Sequence, residues 1–149
     1  MKTFGLYGAG LLAARNINGG GSGGGGGSGS GAGTTWTRRT RTSQGNWLFG
    51  VAYGDGLFVA VGDRGIILTS PDGVDWTAQT SGTDHDLNGV TYGDGLFVAV
   101  GDGGIILTSP DGATWTAQTS GTGNDLNGVT YGDGLFVAVG DRSIILTSP

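Results

Sequence analysis

The sequence predicts an all-β protein, a partial β-propeller of about three four-stranded antiparallel blades. The phrase "GDGLFVAVGD" begins at Gly54, Gly93 and Gly132, so the repeat is 39 residues long. Equal spacing of about 40 residues is typical of propellers and solenoids. The apolar runs "LFVAV" and "IIL" within each repeat do not alternate with polar residues, so both faces of these strands require cover. A blade between two other blades provides that cover.

Composition divides the chain into three regions. Residues 1–18 are mostly apolar after one lysine, and we expect a docking peptide or short helix there. Residues 19–33, "GGGSGGGGGSGSGAG", are a Gly/Ser-rich linker by composition. Residues 34–149 hold the repeats and form the predicted propeller region.

Each repeat is predicted to contain four short strands. In the middle copy these are Asn88–Gly93, Leu96–Val100, Gly104–Ser109 and Thr114–Thr119. The connections "GDG", "GDGG" and "SPDG" contain residues that tolerate positive φ or fix it near −65°, as tight turns require.

The copies of strands one to three occupy residues 49–70, 88–109 and 127–148, whereas fourth strands begin near Trp36, Trp76 and Trp115. Along the chain, the predicted strands therefore come in the order fourth, first, second and third strand of a blade. Many propellers close their ring with such a permuted strand, so we expect the strand near Trp36 of one chain to complete the blade of Ile144–Thr147 in another.

Three blades are fewer than the usual four to eight, so the repeats predict homo-oligomerisation. A dimer with six blades is favoured over a trimer with nine, and a fragment of a longer array is the remaining alternative.

Composition also disfavours several functions. The net charge of −5 argues against nucleic-acid binding, and no apolar stretch is long enough to span a membrane. Cysteine is absent, which removes thiol nucleophiles, and no cofactor is expected. The segment "TDHDLN" (Thr83–Asn88) is read as a solvated loop, because adjacent side chains diverge and the next repeat lacks its histidine. No metal site is predicted.

The turns "SPDGVDW" and "SPDGATW" resemble the Asp-box, or BNR, repeats of sialidase-like β-propellers, which are common in bacterial and phage-associated proteins. Here the spacing between Asp and Gly is one residue shorter than in the family. The resemblance implies that Asp72 and Asp111 bond backbone amides of their turns while Trp76 and Trp115 pack on the blade. The structural positions it implies are Ser70, Asp72, Gly73, Trp76, Ser109, Asp111, Gly112 and Trp115.

Catalysis is not expected. The sialidase resemblance implies a tyrosine–glutamate pair and an arginine triad, but the chain has no glutamate and its arginines do not recur by blade. Glycosidases use two carboxylates in different environments, whereas the aspartates here recur in turns.

The candidate ligand-binding residues recur once per blade, because an aromatic ring can stack on a sugar while a carboxylate accepts its hydroxyls. They are Tyr53, Tyr92, Tyr131, Asp55, Asp94 and Asp133. The alternative interpretation is that the tyrosines pack between blades and the aspartates form turns. Trp47 is irregular, since the other repeats carry aspartate at its position.

The sequence thus favours a non-enzymatic binding or adhesion module, lectin-like and capturing glycans, at an extracellular surface or on a virion such as a phage tail. A structural or assembly scaffold is the alternative, and a glycoside hydrolase is disfavoured.

Overall fold

The computed structural model describes residues 33–39 and 45–149. The chain divides into two units, Met1–Arg38 and Arg39–Pro149. The docking peptide expected at residues 1–18 lies outside the described residues, and so does the predicted linker apart from Gly33. Residues 35–39 have no regular secondary structure, so the strand expected near Trp36 is not formed in the single chain.

The described part of the second unit contains eleven strands in three antiparallel sheets, each a meander of consecutive strands. Blade 1 comprises β1 (Leu48–Gly54), β2 (Leu57–Gly62), β3 (Ile67–Ser70) and β4 (Thr77–Gln79). Blade 2 comprises β5 (Leu87–Gly93), β6 (Leu96–Gly101), β7 (Ile106–Ser109) and β8 (Thr116–Gln118). Blade 3 comprises β9 (Leu126–Gly132), β10 (Leu135–Gly140) and β11 (Ile145–Ser148), and so has three strands. The predicted all-β, partial propeller-like fold is confirmed.

The first hairpin of each blade is set by an Asp-Gly pair. In blade 1, φ is +48° at Asp55 and +75° at Gly56. Positive φ at both central residues defines a type I′ turn, whose twist matches that of the strands it joins. A second tight turn, Asp63–Gly65, leads into the third strand. Its middle-blade equivalent includes Gly103 and Gly104, both at positive φ, so β7 begins later than the sequence predicted.

Glycine lets the blades approach one another closely. β1 packs along β5, and β5 packs along β9. A Cβ atom at Gly50 would lie 3.2 Å from Cα of Gly89, and a Cβ at Gly89 would lie 3.4 Å from Cα of Gly128. A side chain at Gly50 would crowd the first strand of blade 2, and a Cβ at Gly89 would already be in van der Waals contact with the first strand of blade 3.

Apolar side chains between successive blades form two cores. Between blades 1 and 2 the buried residues are Val59, Val61, Ile67, Leu87, Val90, Phe97, Ala99 and Leu107. Between blades 2 and 3 they are Val98, Val100, Leu126 and Ala138. Alternate residues of β6 therefore enter different cores, which explains why "LFVAV" lacks a polar face.

Burial depends on a blade's position in the stack. Phe97 of the middle blade is 1% exposed, whereas Phe58 and Phe136 of the end blades are half-buried. In the described parts of the chain, no helix is long and apolar enough to cross a membrane.

Candidate functional site

The candidate aspartates lie at the tips of the first hairpins. Asp55, Asp94 and Asp133 are the first central residues of the type I′ turns, with φ between +46° and +50°, and their side chains are exposed. Aspartate tolerates this left-handed conformation better than most residues do. The turn accounts for these three residues, and their carboxylates remain open to solvent.

Two of the three candidate tyrosines lie between blades. A Cβ atom at Gly54 would lie only 2.0 Å from Cγ of Tyr92, and a Cβ at Gly93 would lie 2.0 Å from Cγ of Tyr131. Each ring therefore fills the space that a glycine of the preceding blade leaves open. Tyr53 of the first blade has no preceding blade among the described residues and is 47% exposed.

Each tyrosine also contacts the phenylalanine opposite it on the second strand. The ring centroids of Tyr92 and Phe97 are 4.7 Å apart, and those of Tyr53 and Phe58 are 4.6 Å apart. Since one ring face of Tyr92 and Tyr131 is used in packing between blades, those two rings are poorly placed to stack on a sugar. Of the six candidate residues, Tyr53 and the three aspartates are exposed.

The "SPDG" turns are held together by side-chain hydrogen bonds. The backbone N–H groups of Val74 and Asp75 donate to Oδ1 of Asp72 at 2.8 and 3.0 Å. The hydroxyl of Ser70 donates to the same oxygen and accepts the N–H of Gly73 at 2.8 Å. These backbone donors, that of Val74 foremost, hold the pKa of Asp72 below its ordinary value.

The turn of the middle blade repeats this arrangement. The N–H groups of Thr114 and Ala113 donate to Oδ1 of Asp111 and lower the pKa of its carboxyl group to about 2. The indole of Trp115 donates to the carbonyl of Gly112 at 2.9 Å. A Cβ at Gly112 would lie 2.7 Å from Leu57, so this turn rests directly on blade 1. In blade 1, Trp76 packs near Phe58, with ring centroids 6.5 Å apart.

An open cavity of about 580 Å³ lies beside the outer strand of blade 1. Its polar lining includes Asn46, Arg64, Gln79, Thr80, Ser81 and Asp84. The guanidinium of Arg64 has no hydrogen bond or ion pair within the part of the chain that the structure describes, although its backbone N–H donates to Asp86. This cavity was not predicted from the sequence.

The first and middle repeats differ at both charged positions of the lining, whereas the third repeat keeps the arginine as Arg142. The middle repeat has Gly103 where the first has Arg64, and Gly123 where the first has Asp84. These differences between otherwise similar repeats are the signal that could have identified the cavity. Positions that only the fold requires tend to stay alike in every copy, and these two positions changed.

The remaining singled-out residues do not form a metal centre. Within residues 33–39 and 45–149, no group of three or more His, Cys, Asp or Glu side chains could hold a metal ion. Two residues of the loop Asp84–Asp86 have structural contacts, because Asp86 accepts the N–H of Arg64 at 2.9 Å and His85 lies beside Gly103. Trp47, the residue that departs from the repeat pattern, is 75% exposed.

These features define a propeller-like repeat protein with a polar cavity on its first blade. Comparisons of the sequence with models of protein families and with curated proteins give no match.

Proposed function

We propose that the protein is a non-enzymatic binding module that takes a glycan in the polar cavity of blade 1. The observation that carries this proposal is the Arg64 guanidinium, which has no partner among the described residues, in a lining that also contains Asp84. A cation and a carboxylate there can donate to and accept from sugar hydroxyls. The cavity volume of about 580 Å³ falls within the range of small-molecule sites.

Other groups in the lining add to the same chemistry. The amide nitrogen of Gln79 donates to Thr69 at 2.9 Å, which leaves its carbonyl oxygen as an acceptor. Asn46 contributes a second amide and Thr80 a hydroxyl. A lining this polar suits a hydroxylated ligand better than an apolar one. Attachment at a cell surface or a phage tail is the setting we propose for such a module.

A glycan array with three variants tests the proposal, each variant introducing the residue of the next repeat. We expect Arg64→Gly and Asp84→Gly to weaken glycan binding at least about 10-fold, because each removes a charged hydrogen-bonding group. His85→Asn is the matched control, since His85 is outside the cavity lining, and it should bind like the unaltered protein. Absence of glycan binding, or binding that Arg64→Gly leaves unchanged, contradicts the proposal.

A second candidate function is an assembly scaffold. The observation favouring it is that large apolar side chains on both end blades are exposed, including Val51 and Tyr53 on blade 1 and Val139 and Ile145 on blade 3. Deleting residues 1–33 separates two versions of this function. Oligomers that survive the deletion are held by the blades, and oligomers that disappear are held by the N-terminal segment.

A further inference from the structure

We propose that two copies of the chain close into one ring, in which the free face of blade 3 of each copy packs on the free face of blade 1 of the other. This inference rests on the scaffold function proposed above and is independent of glycan binding. It specifies the surfaces that meet and the residues that fit together.

The chain already contains this joint twice. At the joint of blades 1 and 2, Leu57, Val59, Val61 and Ile67 of one blade pack against the next. We call this the trailing face. The facing surface of blade 2 includes Leu87, Val90, Tyr92, Phe97 and Leu107, and we call it the leading face. At the next joint, the trailing face of blade 2 meets the leading face of blade 3 through the equivalent residues.

Within the described residues, one leading face and one trailing face have no partner blade. The leading face of blade 1 carries the same residue types as its equivalents, in Leu48, Val51, Tyr53, Phe58 and Leu68, of which Leu68 is buried and the others are exposed or half-buried. The trailing face of blade 3 likewise carries Leu135, Val137, Val139 and Ile145. The two free faces are therefore the two halves of a surface pair that the protein forms internally.

Solvent exposure shows what these faces lack. Ile67 is fully buried at its joint, whereas Ile145, its equivalent on blade 3, is 67% exposed. Leu87 and Leu126 are fully buried, and their equivalent Leu48 on blade 1 is 49% exposed. These side chains match in type and strand position, and the exposed ones lack a covering blade and, for Ile145, also the fourth strand that pairs with β3 in blade 1.

A glycine on blade 3 supplies an empty socket for Tyr53. Gly54 and Gly93 are filled by the tyrosine of the following blade, but a Cβ at Gly132 would meet nothing within 4 Å. Tyr53 is the one described tyrosine of the three without a glycine socket of this kind. Gly132 of one copy and Tyr53 of the other match the contact made twice within the chain.

The two free faces also carry a hydrogen-bond donor and an acceptor that would pair as they do at the internal joint. The amide of Asn88 donates both to Asp102 and to the carbonyl of Leu126 in the next blade, at 2.7 and 3.0 Å. Asn127 makes the first of these bonds, to Asp141 at 2.8 Å, and its second N–H has no acceptor within the described residues. In the proposed ring that acceptor is the carbonyl of Leu48 of the other copy.

The open edge of β11 fits the same closure. In blade 1, β3 pairs with β4 through Ile67↔Gln79 and Thr69↔Thr77. β11 has no fourth strand in the described structure, and the equivalent segment Thr37–Arg39 follows Trp36 as Thr77–Gln79 follows Trp76. Addition of that segment from the second copy would complete the sheet.

The new joint differs from the internal joints in one loop. A Cβ at Gly65 or Gly104 would lie about 2.1–2.2 Å from a carbonyl of the following loop, but the third repeat has Ser143 there. The loop preceding β1 is also one residue longer, because Leu48 is 12 residues after Trp36 whereas Leu87 is 11 after Trp76.

Two copies make a ring of conventional size. Three blades from each chain give six, within the usual range of four to eight. A two-fold axis then relates the two joints, which is the commonest symmetry of soluble oligomers.

Sedimentation equilibrium of the full chain, with variants at the proposed joint, tests the inference. We expect twice the chain mass of 14.8 kDa for the unaltered protein. Gly132→Leu fills the socket and should raise the dissociation constant of the dimer about 100-fold or more, since the ring contains the joint twice. Gly132 has open space and no positive φ, so the single chain can accommodate leucine there. Gly123→Leu, at an equally open glycine in an exposed loop, is the matched control and should remain dimeric.

Ile145→Lys is a second test variant, because a side chain 67% exposed contributes little to folding of the single chain. It should also become monomeric while keeping the far-ultraviolet circular dichroism of the unaltered protein. A monomeric unaltered protein overturns both this inference and the scaffold function. An oligomer that withstands both Gly132→Leu and Ile145→Lys overturns the inference alone, because other surfaces then hold it together.

Discussion

Replacing Gly93 by alanine tests the packing of blade 2 on blade 3. The new Cβ atom would lie 2.0 Å from Cγ, 2.3 Å from Cδ1 and 2.6 Å from Cβ of Tyr131. Carbon atoms in contact prefer about 3.5–4.0 Å, so the tyrosine has to retreat by about 1.5 Å. The conflict involves the stem of the side chain, which cannot move without the backbone of β9. Gly93 does not have positive φ, so the effect is steric.

We expect Gly93→Ala to lower the free energy of unfolding by about 3 kcal/mol, the upper end of the usual cost of overpacking. In a domain of this size the melting temperature should fall by at least about 10 °C. Urea unfolding followed by circular dichroism measures the change. Gly123→Ala is the control, since a Cβ there meets nothing within 4 Å, and it should change stability by no more than about 0.5 kcal/mol.

A double-mutant cycle with Tyr131→Ala identifies the cause. Tyr131→Ala removes the two nearest atoms, Cγ and Cδ1, but keeps Cβ at 2.6 Å from the new atom, so Gly93→Ala should cost less once Tyr131 is alanine, though still more than Gly123→Ala. Additive costs in the cycle, or a Gly93→Ala variant as stable as Gly123→Ala, would refute the packing between blades described here.

Two further predictions concern the middle-blade turn and the first core. Asp111 has a pKa of about 2 in the folded chain against an ordinary 3.8, so the stability it provides is present above pH 4 and lost as pH falls towards 2. In acid titrations, the free energy of unfolding of Asp111→Asn should therefore fall less between pH 4 and pH 2 than that of the unaltered protein. Val61 is fully buried, and Val61→Ala should cost about 2–3 kcal/mol from two lost methyl groups and the cavity they leave. Val74→Ala, at an exposed turn position where the next repeat has Ala113, should cost no more than about 0.5 kcal/mol by the same denaturation assay, and equal costs at the two valines would contradict the assignment of the core.

The fold was predictable because short segments of each repeat determine its strands and its turns. The apolar run Leu96–Val100 has no polar face, which requires sheets on both sides, and the Asp-Gly pairs fix the hairpins. Strand ends were less predictable. β7 begins at Ile106 because the preceding glycines adopt positive φ, and β8 covers only Thr116–Gln118.

The candidate site was less predictable, since the repeat pattern does not show which surface each residue faces. Tyr92 was a candidate for sugar stacking, but Gly54 of the preceding blade provides a socket for its ring, a relation between residues 38 positions apart. The cavity combines Asn46, Arg64 and Asp84, which lie in different loops and become neighbours only in the folded blade. Differences between the repeats mark Arg64 and Asp84, but only the structure shows that the three residues line one cavity.

Hydroxyl-radical labelling of the peptide that follows Arg142 tests most directly whether every apolar blade face is covered by another blade. This peptide contains Ile145, which is 67% exposed in the single chain. We expect its labelling to be several-fold slower in the concentrated, unaltered protein than in the Gly132→Leu variant, and to rise to the variant's rate on dilution. Equal, fast labelling of both proteins at every concentration would contradict the account.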